Sequence, residues 1–243
     1  EAQATKHGAT FLAREVTHAV RLENENRFLV RTADRADYFA KYLVLAHGAN
    51  YIKAHLPGER EYAGKGIHYC ALCDGALYKG KRIAVLGNGN YAAEEAIQLA
   101  SFARGVTIIT HSQGVNMSAA YQKLLDTQGI GVITGRVKRI NGAAGAPMEI
   151  MQEGGKLFSC DALFIALGVA SSTAFASQLG LEMNGNFVRV VDQNLRTSSQ
   201  GVWAAGMARG GINQIARSVG DGAVAAIDII KAAKGLPDYI DHT

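Results

Sequence analysis

The run Arg82-Ile83-Ala84-Val85-Leu86 leads directly into Gly87-Asn88-Gly89-Asn90-Tyr91-Ala92, an order of residues that few backbone arrangements satisfy. The apolar run reads as a buried strand. Residues 92–102 read as a helix with Ala93, Ala96, Ile97 and Ala100 on one face. In a Gly-x-Gly-x-x-Ala turn between strand and helix, the first glycine makes the tight turn and the second lets backbone approach a pyrophosphate. A small third residue lets the helix pack close to the strand. The helix N-terminus is then aimed at the anion. Gly87, Asn88, Gly89, Asn90 and Ala92 are therefore candidate dinucleotide contacts, and an ordinary tight strand-to-helix turn is the alternative.

Just upstream stand Cys70 and Cys73, separated by two residues, with Asp74 next. A pair at that spacing closes a small disulfide ring, and a helix start or a nearby cation brings a thiolate into the range of exchange chemistry. Asp74 is placed where an acid could exchange a proton with a thiol. The competing reading is a zinc site completed by His68 and Cys160, since cysteine and imidazole are ordinary zinc ligands. Against it, such sites usually bring a second close pair, and the chain has three cysteines.

The 243 residues suffice for one large or two small domains, and 28 glycines with three prolines suit a glycine-turned α/β protein. The net charge of +4 comes without a dense basic run interleaved with aromatics, so nucleic-acid binding is not expected. No apolar stretch approaches the roughly 20 residues of a membrane span. Three cysteines make no disulfide framework and no secretory signal is visible, so the expected compartment is the cytoplasm.

Residues 27–32 and 42–46 read as strands, with a polar turn at residues 24–26 before the first. Further strands are expected at residues 106–110, 163–167, 187–190 and 202–205, and a glycine- and alanine-rich loop at residues 141–147. The last helix, from about Asn213 to Ala233, spaces Ile215, Val219, Ala223, Ala226 and Ile230 for one buried face. The domains are expected to be discontinuous: 59–169 inserted between 1–58 and 170–243, the insert having about 110 residues, an ordinary domain size.

Taken in order, Pro57-Gly58-Glu59, Cys70-Ala71-Leu72-Cys73-Asp74-Gly75, Gly87-x-Gly89-x-x-Ala92-x-Glu94-Glu95-Ala96, Gly201-Val202-Trp203-Ala204-Ala205-Gly206, and Asn213-Gln214 with Gly220-Asp221-Gly222 form a pattern that resembles the low-molecular-weight thioredoxin reductases. The resemblance covers nearly the whole chain. It implies an α/β fold of two Rossmann-like domains: a FAD-type domain in two pieces, the first incomplete, and an NAD(P)-type domain bearing the cysteines. It also implies that electrons pass from FAD to the Cys70/Cys73 pair and on to a thioredoxin-like protein. Cys73 would face the flavin, Cys70 would attack the substrate, and Asp74 would act as acid/base. Cofactor-contacting positions by the same resemblance are Glu94, His111, Gly168, Gly48, Gly206, Met207, Asn213, Gln214 and Ile215. A homodimer is implied too, as is domain rotation about a hinge near Pro57-Gly58 and Gly168.

The chain departs from the family in five places. Residues 111–117 read His-Ser-Gln-Gly-Val-Asn-Met: His111 stays, but the arginines that hold the NADPH 2′-phosphate are gone and no acid replaces them, so NADPH is doubtful. Met207 stands where the family has an aspartate contacting the flavin sugar chain. Nothing in residues 1–50 matches the FAD fingerprint, so the resemblance implies truncation ahead of Glu1 and weak or absent FAD binding. His47 replaces a threonine, and residues 169–173 lack the family's proline. Ferredoxin as donor, a peroxiredoxin-type partner or small-molecule dithiol as substrate, and a non-catalytic binding module are the alternative readings.

Overall fold

A computed structural model describes residues 1–142 and 147–236; residues 143–146 of the expected glycine- and alanine-rich loop lie outside them. The chain divides into two compact units, Tyr51–Val169 and Glu1–Asn50 with Ala170–Thr243.

The continuous unit is built on a five-stranded parallel sheet in the order Ile67–His68, Ala162–Ile165, Arg82–Leu86, Gly105–Ile109, Gly131–Ile133. Both faces of this sheet are covered, which is why its strands are continuous apolar runs and not alternations. Ile83, Val85, Ile108 and Phe164 meet Ala92, Ala93, Ala96 and Leu99 of the helix Asn90–Ala100 on one side. Ala84, Leu86, Ile109, Leu163 and Ile165 meet Ile140, Met148, Ile150 and Cys160 on the other. That second layer is an antiparallel sheet of Val137–Asn141, Met148–Gln152 and Leu157–Cys160. The buried helix face is rotated from the expected one: Ala92 and Leu99 are fully buried while Ile97 and Ala100 are half-buried. The close approach of strand and helix favours residues without bulk, and alanine at positions 92, 93 and 96 supplies that.

In the discontinuous unit, Val16–Leu22, Arg27–Thr32 and Asp37–Ala40 form an antiparallel sheet, turned at Asn26 in the left-handed region (φ 47°), which asparagine tolerates. Leu43–Leu45 pairs in parallel with Val202–Ala204. Phe28, Ala19, Leu179, Val188 and Val202 pack together as the core. Among the described residues, no helix is long and apolar enough to cross a membrane.

The helix Ile215–Lys234 corrects one expectation. Ile215 is 84% exposed and Val219 67%, and Ala223, Ala226 and Ile230 are exposed as well; the buried positions are Asp221, Ala225 and Asp228. The reason is charge pairing across the fold. Arg209 holds Asp221 in two hydrogen bonds of 2.7 and 2.8 Å, and Arg196 holds Asp228 likewise at 2.6 and 2.7 Å. Trp203 Nε1 also donates to Asp228, and Gly206 N–H to Asp221. The Arg209 bonds hold Asp221 below the usual carboxylate range. Burial works the other way on Asp228, but Arg196 and Trp203 outweigh it and hold that carboxyl low too. Paired in this way, the aspartates can be buried, and they, not the apolar stripe, face the protein.

Candidate functional site

Cys70 and Cys73 are joined as a disulfide with their Cα atoms 5.3 Å apart. The local chain makes that geometry. Cys70 is extended (φ −140°, ψ 109°) and caps a single helical turn, Ala71–Asp74, its Sγ accepting from Cys73 N–H at 3.1 Å. The turn folds Cys73 back over Cys70 and leaves it exposed, with Cys70 half-buried beneath. The zinc alternative is not assembled. The paired cysteines are bonded to each other, and Cys160 sits among Ile67, Leu163 and Ile150 in an apolar layer, where burial pushes its thiol up to about 12. Among the described residues no group of three His, Cys, Asp or Glu could hold a metal ion.

Two acids flank the dithiol turn. Asp74 Oδ2 lies 2.9 Å from His68 Nδ1, and Tyr78 hydroxyl lies 2.8 Å from His68 Nε2. On the other side Glu95, buried on the glycine-turn helix, accepts from the Ala71 N–H at 2.7 Å. Burial raises the Glu95 carboxyl above its usual range, opposed by the Ala71 bond. Sequence reading singled out Glu94, which is exposed, and missed its neighbour. The signal for Glu95 was its place on the same helical face as Ala92, Ala96 and Leu99, where an unpaired carboxylate would not be tolerated.

At the glycine turn, a Cβ built on Gly87 would stand 2.4 Å from the Ala166 carbonyl oxygen and 2.7 Å from the Ala92 Cβ, whereas at Gly89 nothing lies within 4 Å. One glycine thus closes the strand-helix junction and the other leaves open space before the helix N-terminus, an arrangement that fits a pyrophosphate. The side chains around it are engaged with the following loop. Asn88 Nδ2 donates to Ser112 Oγ at 2.6 Å, Asn88 Oδ1 accepts from Asn116 N–H at 2.9 Å, and Asn90 Oδ1 accepts from Ser118 N–H at 2.7 Å. His111 is half-buried at φ 53°, its Nδ1 accepting from Val137 N–H; burial, then the Arg136 charge, lowers its pKa. A largely neutral imidazole is a poor holder of a phosphate dianion. Gly168 (φ 110°) accepts from Ile52 N–H in the same unit.

The remaining predicted residues lie in the other unit. Gly48 (φ 70°) accepts from Ser171 Oγ at 2.7 Å, and His47 reaches Ser171 and Ser172 through Nε2, its pKa lowered by burial. Gly206 (φ 62°) has its N–H taken by Asp221. Met207 is buried beside Arg217, and Asn213 and Gln214 lie immediately before the closing helix, which begins at Ile215. Among the described residues of this unit, the Gly206 amide is already committed to Asp221, and Met207 offers no carboxylate acceptor.

A family model described as pyridine nucleotide-disulphide oxidoreductase matches residues 2–222. The chain is 31% identical over 231 residues to a thioredoxin reductase of Bacillus subtilis, covering 92% of this chain and 72% of that protein. It is 30% identical over 245 residues to a thioredoxin reductase of Peptoclostridium acidaminophilum, covering 93% of this chain and 75% of the relative. Among solved structures, the thioredoxin reductase from Streptococcus pyogenes aligns over 97% of this chain and 78% of its own, with TM-score 0.87 and 28% identity.

Proposed function

Because the chain belongs to the pyridine nucleotide-disulphide oxidoreductases and, among them, to the low-molecular-weight thioredoxin reductases, we propose that it reduces the disulfide of a thioredoxin-like protein through Cys70 and Cys73. The family is one of flavin-type disulfide oxidoreductases with a Rossmann-like α/β fold, and the chain is an oxidoreductase. The observation that carries the finer reading is the closed, accessible Cys70–Cys73 disulfide with an acid, Asp74, at its end.

In the reduced state the Cys70 thiol gives its proton to the Asp74 carboxylate, and the resulting thiolate attacks one sulfur of the partner's disulfide. That bond breaks, and the expelled sulfur takes the proton back from Asp74. Cys73 then gives its proton to Asp74, free again as a carboxylate, and its thiolate attacks the Cys70 sulfur; the partner's second sulfur is expelled and takes that proton. The internal disulfide re-forms and the partner leaves as a dithiol: two electrons and two protons have moved to it. Glu95 holds the Ala71 N–H and with it the start of the dithiol turn.

On this reading FAD, which would supply the electron pair to the family's dithiol, is held only loosely by the chain; the commitment of the Gly206 amide to Asp221 and the lack of a carboxylate at Met207 support this. The purified chain is expected to show substoichiometric flavin absorbance in the visible bands, and a tight one-to-one flavin spectrum would contradict the expectation. The neutral loop at residues 112–117 favours a donor other than NADPH as a second reading. The test is an anaerobic assay with added FAD and oxidised thioredoxin-type protein, driven in turn by NADPH, NADH and reduced ferredoxin. Dithiol formation on the partner with any one of them is the expected result. Its absence with all three, in a chain whose Cys70/Cys73 pair still titrates, would overturn the proposal. Homodimerisation and domain rotation near Pro57-Gly58 and Gly168 remain part of the same proposal.

A further inference from the structure

His68 ends the edge strand of the parallel sheet, 7% exposed, its ring stacked on Phe164 with centroids 5.3 Å apart. Both ring nitrogens are engaged, Nδ1 with Asp74 Oδ2 at 2.9 Å and Nε2 with the Tyr78 hydroxyl at 2.8 Å. Burial, reinforced by the Asp74 charge, raises the Tyr78 pKa, so the hydroxyl stays protonated at neutral pH and donates to Nε2. The Asp74 carboxylate can only accept, so Nδ1 carries the proton aimed at it and Nε2 is left to accept from the Tyr78 hydroxyl. The ring meets Phe164 from the next strand and Asp74 and Tyr78 from the turns that follow; Asp74 is the charged group among them. His68, Asp74, Cys70 and Cys73 line one cavity of about 310 Å³ together with Tyr69 and Tyr51.

We propose that His68 is the positioning residue of the dithiol site, holding one oxygen of the Asp74 carboxylate so that the other is free to exchange a proton with the thiol, while Tyr78 fixes the imidazole tautomer. The inference rests on reading Cys70, Cys73 and Asp74 as the redox centre. The Asp74 side chain is 37% exposed and would otherwise turn to water. One directed donor selects its rotamer, as the orienting partner does for a base in other acid-base sites. The proton itself passes only between thiol and Asp74: thiol plus carboxylate gives thiolate plus carboxylic acid, and the reverse when the leaving sulfur is protonated.

Two substitutions of similar size separate this role from mere packing. His68→Asn keeps a donor where Nδ1 stands and gives up Tyr78; His68→Gln reaches to where Nε2 stands and gives up Asp74. The full chain, reduced and freed of reductant, is mixed with an oxidised thioredoxin-type protein in water and in deuterium oxide from pH 5 to 9, and the exchange rate is followed. His68→Asn is expected to keep the rate at neutral pH within about twofold of wild type, with the same pH profile and the same solvent isotope effect. His68→Gln is expected to lose about tenfold, a part of the ~10²-fold that a positioned general acid or base supplies, and to lose the isotope effect. Equal behaviour of the two variants, beside a wild type that exchanges, would overturn the role of His68 alone. A wild type that does not exchange would remove the dithiol reading and this inference with it. If neither variant folds, Tyr78→Phe, which leaves the ring packing, is expected to slow exchange and weaken the isotope effect; a wild-type rate and isotope effect would overturn the proposal.

Discussion

Cys73→Ser is expected to abolish catalytic transfer of electrons to a thioredoxin-like protein, by about 10³-fold or more, and Cys70→Ser to do the same. The double substitution should be no worse than either alone, because two sulfurs that form one disulfide act as a unit and their losses do not add. The physical ground is that each half of the exchange needs a second sulfur within bonding reach, and the Ala71–Asp74 turn brings only these two together. Serine occupies nearly the same volume, so stability should change little. Steady-state assays with the donor found active, beside urea unfolding of each variant, check both halves of the statement. Cys160→Ser is the control: its thiol is buried and raised to about 12, so turnover should be unaffected.

The second large effect concerns the fold that carries the turn. Gly87→Ala is expected to destabilise the chain by about 2–3 kcal/mol, since the new methyl group would meet a backbone oxygen at 2.4 Å and the Ala92 methyl at 2.7 Å in a fully packed layer. Neither neighbour is the far end of a flexible side chain; the strand or the helix has to move. Gly89→Ala meets nothing within 4 Å at an ordinary φ of −119°, so its cost should stay within about 0.5 kcal/mol or become a small gain. Urea midpoints of the two variants measure the contrast, and equal midpoints would show that the junction is not packed as described.

The two glycines show how far the sequence could be read. Their spacing after an apolar strand announced the strand-turn-helix, because each glycine has a separate steric task, and those tasks are local. The partners of buried charge are not local. Asp228 finds Arg196 32 residues away, and Asp221 finds Arg209 12 residues away. A hydropathy stripe assigned Ile215, Val219 and Ile230 to the inside, and could not register that paired aspartates on the opposite side of the helix would take that place. Glu95 was hidden for the same reason: its value lies in the Ala71 N–H, 24 residues upstream, which exists as an unpaired donor only once the dithiol turn has formed. The Cys70-x-x-Cys73 spacing allowed a disulfide ring or half a zinc site, and the ring is what the turn forms. His68 was visible only as a residue type that binds metals, and its bond to Asp74 depends on how the edge strand and the turn after it are brought face to face.

The most direct test of the dithiol's role is a trap. The Cys73→Ser chain, reduced and mixed with an oxidised thioredoxin-type protein, should stop after the first attack, because the second sulfur that would release the partner is missing. A covalent adduct joined through Cys70, seen by mass spectrometry under non-reducing conditions and lost when reductant is added, is the predicted result. No adduct on Cys70, or one formed on Cys160 or on Cys73 in the Cys70→Ser chain instead, would contradict it.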